Sequence, residues 1–486
     1  MHSEQASPTF SHAAIRQILI GLMLAILLGA LDQTIVSVSL PRIAQDLGDP
    51  SMLAWVVSGY LVSSTIATPI YGKLGDLYGR RRLLISAILI FLVSSAGCAL
   101  AQSMPMLIAA RVLQGLGGGG LISTAQAIIG DVAPGRERGR YQGYIAVVYA
   151  AASVGGPVLG GYLTHYLSWH WIFWINLPLG VAAFWASHGA LKALPVPGIR
   201  RPIDYVGTAL LIAGLSALLI AFTRVGQGVS LLAGDTLGLL AGAVVVLVLF
   251  VLHESRTEEP ILPLALFRNR TVTVGCLLNF LCFFQVIALS VLVPYGMQML
   301  DRVTGDASAL RLIPFTLAVP VAATASGRVM LRTGRYKSLQ ISGTAMLVLA
   351  LLLLAWLGPH ASFVSEIALT LAGASIGMSM PSSLVAVQSA VAQRELGVAT
   401  ATTALFRSMG GAIGIAILSS VLFALMHHGA SADATPAMQP LTAFRLTFLT
   451  AALVALLAHA LAWAMPDLRL RERTSAQSAA ESQAVH

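Results

Sequence analysis

The sequence predicts an all-α polytopic membrane protein, and three observations lead to this fold class. Of the 486 residues, 57% are hydrophobic and only 10% are charged, whereas a soluble domain is about 25% charged. The mean hydropathy is +0.81. The chain also contains fourteen apolar runs of about 20 residues, the length of an α-helix that crosses a bilayer. Strands of a membrane barrel would be shorter and would alternate in polarity.

The fourteen predicted spans are joined by short connections, so we expect no sizeable soluble domain. We place them at 16–40, 52–71, 83–102, 106–130, 142–163, 168–190, 204–223, 232–252, 271–296, 307–327, 338–357, 363–384, 397–423 and 442–465.

The distribution of positive charge predicts the orientation of these spans. If the N-terminus is cytoplasmic, most lysines and arginines fall in cytoplasmic connections, including Lys73, Arg80, Arg81 and Arg82 after the second span. Cytoplasmic loops of membrane proteins carry such an excess of basic residues. We therefore expect an even number of spans and two cytoplasmic termini.

A loop motif occurs twice along the chain. Residues 72–82 read GKLGDLYGRRR, and residues 327–337, after the tenth span, read GRVMLRTGRYK. Copies on the same side of the membrane indicate two parallel repeats. The two copies of the loop follow the second and the tenth span. Both would follow the second helix of a six-helix half only if the seventh and eighth spans are an insertion between the halves. We therefore predict a 6+2+6 arrangement: an N-terminal six-helix bundle (1–190), two inserted spans with a cytoplasmic linker (191–270), a C-terminal six-helix bundle (271–465) and a polar cytoplasmic tail (466–486).

The first copy of this loop is the candidate conformational latch, formed by Gly72, Asp76, Gly79, Arg80 and Arg81. Its glycines permit tight turns, and the Asp76 carboxylate can pair with a cytoplasmic arginine or cap a neighbouring helix. Anchoring by positive charge alone would account for the arginines but not for the aspartate.

Two ionisable residues lie inside apolar spans, Asp32 in the first and Arg111 in the fourth. Such residues are expensive in a membrane and usually functional. With a rise of about 1.5 Å per residue, both lie roughly 8–12 Å from the outer ends of their spans, so they can share one layer. Burial would favour the neutral form of Asp32, whereas the positive charge of Arg111 would favour the charged form of Asp32. The pair is therefore either a proton switch or a fixed structural ion pair.

The fifth span carries Gly156, Gly160 and Gly161 beside Pro157. Glycines four residues apart allow two helices to approach closely, and proline permits a bend. This pattern fits either a bendable seam between the two halves or ordinary packing of small residues.

Together these motifs resemble the major facilitator superfamily, and above all its fourteen-helix drug:proton antiporter branch, the EmrB/QacA-like transporters. The resemblance covers about residues 16–465. It is carried by Leu31–Val36 with Pro41, by residues 72–82, by Arg111, Gln114, Gly115 and Gly117, by Gly143 with Gly156, Pro157, Gly160 and Gly161, and by Trp169–Asn176. Ser37, Ser39, Ala152 and His170 depart from the usual pattern.

The resemblance implies two pseudo-symmetric bundles around a central cavity. It also implies that Asp32 is a protonatable acid tuned by Arg111, that the loop steadies an outward-facing state, and that the fifth-span glycines form an antiporter motif that seals a proton leak. Candidate residues of a substrate cavity are Thr34, Gln114, Gln126, Tyr149, Trp174, Asn279, Phe283, Phe284, Gln285 and Arg407. Arg407, near the midplane, would either bind an anionic substrate or pair with an acid.

Other chemistry finds little support. Gly115–Gly120 fit a dinucleotide fingerprint but lie inside a membrane span. No Walker A motif, midplane cluster of metal ligands or basic stripe for nucleic acid is present, and Cys98, Cys276 and Cys282 suit small apolar packing. We expect neither an enzyme nor a metal site.

We therefore expect a proton-coupled antiporter of the bacterial inner membrane that exports amphipathic, drug-like compounds by alternating access. The proton gradient would be its energy source, with no other cofactor. Its partners would be membrane lipid, protons and small amphipathic substrates, and it would act as a monomer; the resemblance leaves room for a periplasmic adaptor and an outer-membrane channel. The alternative is proton-symport uptake of a small polar nutrient or metabolite. A membrane scaffold would leave the embedded acid and arginine unexplained.

Overall fold

The computed structural model describes residues 12–48, 52–133, 137–193, 203–226, 229–360, 362–392, 395–427, 439–467 and 469–470. In these residues the chain is helical, with short connections and no strand. The predicted fold class is confirmed by this helical architecture. Most of the predicted cytoplasmic tail, from residue 471 onward, lies outside the described residues.

The first group of helices corresponds to the first six predicted spans, of which the sixth is broken by a turn at Ile175. The helices are α1 (His12–Leu47), α2 (Leu53–Tyr78), α3 (Arg80–Ala99), α4 (Met104–Val132), α5 (Arg138–Tyr166), the single turn α6 (Trp171–Trp174) and α7 (Asn176–Ala190).

The remaining helices correspond to the other eight predicted spans. The inserted pair is α8 (Tyr205–Gly226) and α9 (Gly234–Glu254). The last group is α10 (Arg270–Asp301), the short α11 (Gly305–Leu310), α12 (Ile313–Thr333), α13 (Lys337–Leu357), α14 (Phe363–Ala390), α15 (Leu396–His427) and α16 (Pro440–Ala464).

Twelve helices in the described part of the chain are long and apolar enough to cross a membrane. They do not include α2 or α7. Helix α7 has only 15 residues because the turn at Ile175 separates it from α6. Helix α2 has 26 residues and packs along α4 and α15, which both belong to the twelve. We assign α2 and the α6–α7 pair as the other two of fourteen spans.

The packing pattern of the first group repeats in the last. Helix α1 packs on α4, α5 and α7, just as α10 packs on α14, α15 and α16. The pairs α2–α4, α3–α4 and α3–α7 likewise have counterparts in α12–α14, α13–α14 and α13–α16. Each group has its own buried apolar cluster, one around Leu22, Phe91 and Leu121 and the other around Leu292, Leu351 and Phe448. This repetition is the pseudo-symmetry expected of the fold.

The two groups meet mainly through α5 with α12 and α2 with α15. The contacting residues include Gly143 beside Thr324, and Gly72 beside Ala401. These positions lie near the ends of the helices that the charge distribution assigns to the cytoplasm. The inserted helices attach at one side, where α8 packs on α2 and α15 while α9 packs on α8.

Candidate functional site

Asp32 of α1 and Arg111 of α4 form an ion pair inside the N-terminal group. The Nη1 atom of Arg111 lies 2.5 Å from Oδ2 of Asp32, and the side chains are 1% and 0% exposed. The two side chains, which were predicted to lie at the same depth, are therefore in direct contact. A charged pair sealed this completely is stable only when its remaining polar atoms also find partners.

Those further partners come from α4 itself and from α7. Oδ1 of Asp32 accepts hydrogen bonds from the side-chain amides of Gln114 and Asn176, both at 2.9 Å. The two amides in turn donate to the Ser95 hydroxyl of α3, at 2.7 and 3.3 Å. Both carboxylate oxygens of Asp32 are engaged, Oδ2 by the ion pair and Oδ1 by the two amide donors.

The guanidinium of Arg111 is held equally firmly. Its Nε donates to the carbonyl of Val56 on α2 at 3.1 Å, and Nη1 also donates to Oε1 of Gln114 at 2.7 Å. The ring of Tyr60 lies 4.3 Å from the guanidinium carbon. Helices α1, α2, α3, α4 and α7 thus meet at one charged centre.

Sequence reasoning missed several members of this centre. Asn176 is the last residue of the Trp169–Asn176 motif, and its place in that motif was the one sequence feature that could have identified it as a member of this centre. Ser95 and Tyr60 stand in apolar runs without any distinguishing pattern. Cys98 is buried as expected, but its thiol also lies 3.5 Å from Oε1 of Gln114, so it does more than fill space.

The candidate latch joins the two halves. Asp76, near the end of α2, accepts hydrogen bonds from the backbone N–H groups of Gly397 at 3.3 Å and Val398 at 2.9 Å. These are the second and third residues of α15, whose first N–H groups have no partner within the helix. Asp76 therefore caps a helix of the opposite half, one of its two expected roles.

Asp76 also takes the second expected role, because it pairs with Arg80. Arg80 reaches Asp131 at the end of α4 as well, with Nε 3.0 Å from Oδ2. Gly79 adopts φ +91°, which allows the sharp turn from α2 into α3. Arg81 lies apart from this network and contacts His188 of α7 at 3.2 Å.

The glycines of α5 correct one expectation. Gly156 and Gly160 face Thr34 and Ile35 of α1, in the same half, and not the opposite half. The Thr34 hydroxyl even donates to the carbonyl of Ala152 on α5, at 2.8 Å. Gly143 alone of the motif glycines contacts the other half. Gly161 has no neighbouring atom within 4 Å of an added Cβ, and the side chain of Pro157 is exposed.

Half of the predicted cavity residues are in fact buried by packing. Gln114 belongs to the Asp32 centre, and the amides of Asn279 and Gln285 donate to carbonyls one turn earlier in α10. Gln126 and Phe284 are also buried. These five residues do not line an open surface in this conformation, because all of them are buried. The other five are half-buried: Thr34, Tyr149, Trp174, Phe283 and Arg407.

Arg407 and Phe283 do come together. The guanidinium carbon of Arg407 lies 5.5 Å from the centre of the Phe283 ring, within the range of a cation–π contact. Nη1 of Arg407 lies 4.0 Å from the Met380 sulfur, and the charge interacts electrostatically with the Tyr149 hydroxyl on α5. Trp174 instead packs in an apolar cluster with Trp169 and Ile172.

Several known proteins are similar to this chain in sequence. The multidrug transporter protein MdtP of Bacillus subtilis is 36% identical over 405 residues, which cover 83% of this chain and 74% of that protein. An uncharacterized MFS-type transporter of Mycobacterium tuberculosis, Rv1877, is 36% identical over 422 residues, 85% of this chain. The match spans only 60% of that relative's length.

A solved structure shares the fold. It is the proton:xylose symporter XylE, bound to 6-bromo-6-deoxy-D-glucose, with a TM-score of 0.65 and 15% identity over 94% of this chain and 97% of that one. The profile of the Major Facilitator Superfamily matches residues 22–415, most of both helix groups. This chain therefore belongs to the Major Facilitator Superfamily.

Proposed function

We propose that the protein is a proton-coupled antiporter that exports amphipathic, drug-like compounds across the bacterial inner membrane. The observation that carries the proposal is the Asp32–Arg111 pair, which is sealed from water among five helices. The relative MdtP is named a multidrug transporter, which supports export of varied compounds.

The proposed mechanism begins from the conformation described above, in which the two halves touch near their cytoplasmic ends. Asp32 is fully buried there, so a proton can reach or leave it only after the surrounding helices move. Arginine keeps its proton in proteins, so a proton gained by Asp32 leaves the Arg111 charge without its counter-ion. The five helices at this centre would then repack, and that repacking is the proposed link between protonation and alternating access.

In this proposal the proton enters Asp32 from the outer side and leaves to the cytoplasm, while substrate moves the opposite way. The contacts of Asp76 with α15 would hold the cytoplasmic side closed during the outward-facing part of the cycle. One chain contains both halves, which supports a monomeric functional unit. The distribution of basic residues supports cytoplasmic termini.

The test is an efflux assay in a bacterial strain that lacks its own pumps, with a panel of anionic, neutral and cationic amphipathic dyes, each measured with and without a protonophore. We expect wild type to export at least one of these dyes, and only while the proton gradient exists. Asp32→Asn keeps the shape of the side chain but cannot titrate, and its export should fall at least about tenfold. The matched control is Asp235→Asn, because the Asp235 side chain is 81% exposed.

Two results would contradict the proposal. Export that persists in the presence of protonophore would exclude proton coupling. Accumulation of substrate in cells that express wild type, in place of export, would favour the symport alternative.

A further inference from the structure

Arg407 differs from the other deeply placed arginines in the described part of the chain. Arg111 pairs with Asp32, and Arg80 pairs with Asp76 and Asp131. Arg138 donates to the carbonyls of Gly130 and Ala133, at 2.6 and 3.2 Å. Each of these guanidinium groups has oxygen partners that compensate for the loss of water.

Arg407 has no such partner among the residues that the structure describes. It lies eleven residues from the start of α15 (Leu396–His427), which places it about 16 Å along the helix and near the middle of the membrane. Among the described residues its contacts are the Met380 sulfur at 4.0 Å and the Phe283 ring at 5.5 Å, and no carboxylate forms an ion pair with it. Its N–H donors therefore remain available.

We propose that Arg407 binds the anionic group of the substrate, and that the substrates of this protein are amphipathic monoanions. The preferred ligand would carry one carboxylate or sulfonate on an apolar ring system. This inference names the substrate class of the proposed exporter and rests on that proposed function. Binding of the ligand can nevertheless be tested without measuring transport.

The chemistry of the surroundings supports a ligand of this kind. A guanidinium presents a planar set of donors that matches a carboxylate or sulfonate, and the bonds are charge-assisted. Phe283 and Met380 lie beside it and offer an aromatic ring and a polarisable sulfur to the apolar part of the ligand. The Arg407 charge interacts with the Tyr149 hydroxyl of α5, and α15 packs on α2 and α4 of the N-terminal half, so a ligand here would lie close to both halves.

The charge balance also disfavours cations. Asp32, a carboxylate deep in the membrane, is already engaged by Arg111, Gln114 and Asn176. A cationic ligand near Arg407 would therefore meet an uncompensated positive charge. A neutral ligand would avoid repulsion but would leave the guanidinium donors unused.

Three probes of nearly equal shape test this inference: 2-naphthoate, neutral 2-naphthamide and cationic 2-naphthylmethylammonium. Calorimetric titration of the full chain in lipid nanodiscs, with empty nanodiscs as the blank, gives each affinity. We expect wild type to bind 2-naphthoate at least about tenfold more tightly than 2-naphthamide, and the ammonium probe most weakly. Arg407→Gln should remove this preference and leave the 2-naphthamide affinity within about twofold.

Two further variants sharpen the test. Arg407→Lys keeps the charge but loses the planar donor set, so it should retain part of the preference, and it provides a second measurement if the glutamine variant does not fold. Arg445→Gln, which removes an exposed arginine of α16, should behave as wild type.

The inference would be overturned if wild type binds the three probes equally or does not bind 2-naphthoate, or if Arg407→Gln keeps the preference. Its failure is distinguishable from failure of the proposed function. Proton-driven export of dyes from the panel without any preference for the anion would reject the anion site alone. An Arg407-dependent preference without export would reject the transport proposal alone.

Discussion

The Asp76 carboxylate accepts a hydrogen bond from the backbone N–H of Val398 at 2.9 Å, although 322 positions separate the two residues in the chain. This bond joins the end of α2 to the first turn of α15 and so connects the two halves at one side of the membrane. Because it joins the two halves, the bond must break if the halves separate at that side.

The first prediction follows from this bond. Asp76→Ala removes the cap of α15 and a counter-ion of Arg80, and loss of a helix cap costs about 0.5–2 kcal/mol. We expect the population to shift about tenfold toward conformations that are open on the cytoplasmic side. Spin labels at exposed Arg82 and Arg332, in a chain without its three cysteines, should then show longer distances. Asp76→Asn keeps one acceptor oxygen and should shift less, and unchanged distances in both variants would contradict the latch.

The second prediction concerns the glycines of α5. A Cβ at Gly156 would lie 2.7 Å from Cβ of Thr34, whereas a Cβ at Gly161 would meet nothing within 4 Å. Gly156→Ala should therefore destabilise the protein by about 1–3 kcal/mol through overpacking. Gly161→Ala should leave stability unchanged or slightly raised, because alanine is the better helix former. Thermal unfolding in detergent compares the two variants, and equal melting temperatures would refute the packing of Gly156 on α1.

The third prediction concerns Asn176, which has no titratable group of its own. Its amide donates to Asp32 at 2.9 Å and to Ser95 at 3.3 Å, so it positions the carboxylate. Asn176→Ala should lower proton-driven export about tenfold and leave substrate exchange at equal pH largely intact, because exchange requires no net proton transfer.

The control for Asn176 is Asn279→Ala. Asn279 is also a buried asparagine, but its amide donates to the Gly275 carbonyl one turn away in the same helix, at 2.9 Å. Export and exchange should change in parallel in this variant. If Asn176→Ala also lowers both activities equally, Asn176 has a purely structural role.

The fourth prediction concerns the linker that follows α9. Nζ of Lys73 lies 3.1 Å from Oε2 of Glu259, with side chains 12% and 21% exposed, and nearby Ile261 and Leu262 join the apolar cluster of Leu211, Val398 and Leu405. A double-mutant cycle with Lys73→Gln and Glu259→Gln should give a coupling of about 0.5–1 kcal/mol. Hydrogen exchange of residues 255–268 should rise in either single variant. A coupling near zero would make the contact incidental.

Much of the fold could be predicted from sequence, because the bilayer imposes a simple rule on composition. A segment of about 20 apolar residues must become a helix to satisfy its backbone in lipid. All fourteen predicted spans therefore coincide with helices. The break at Ile175 was not predicted, because the flanking segments Trp171–Trp174 and Leu177–Leu179 are both apolar.

The charged centre was only partly predictable. Asp32 and Arg111 stand out because charges are rare and costly in apolar spans, and equal depth was enough to suggest that they meet. Ser95 and Tyr60 carry no such signal, since serine and tyrosine are common in membrane helices for many reasons. The composition of a span does not show which face of its helix turns toward a neighbour.

By itself the sequence determined that this protein is helical, which fourteen segments are its long apolar helical segments, which ends of the helices carry positive charge and which residues place charge in the interior. Tertiary structure decided that Gly156 faces α1, that Asp76 caps α15 and that no carboxylate in the described part of the chain pairs with Arg407. The physical reason is that insertion depends on local hydrophobicity, whereas these contacts depend on how each helix is rotated about its axis and packed against helices from distant parts of the chain.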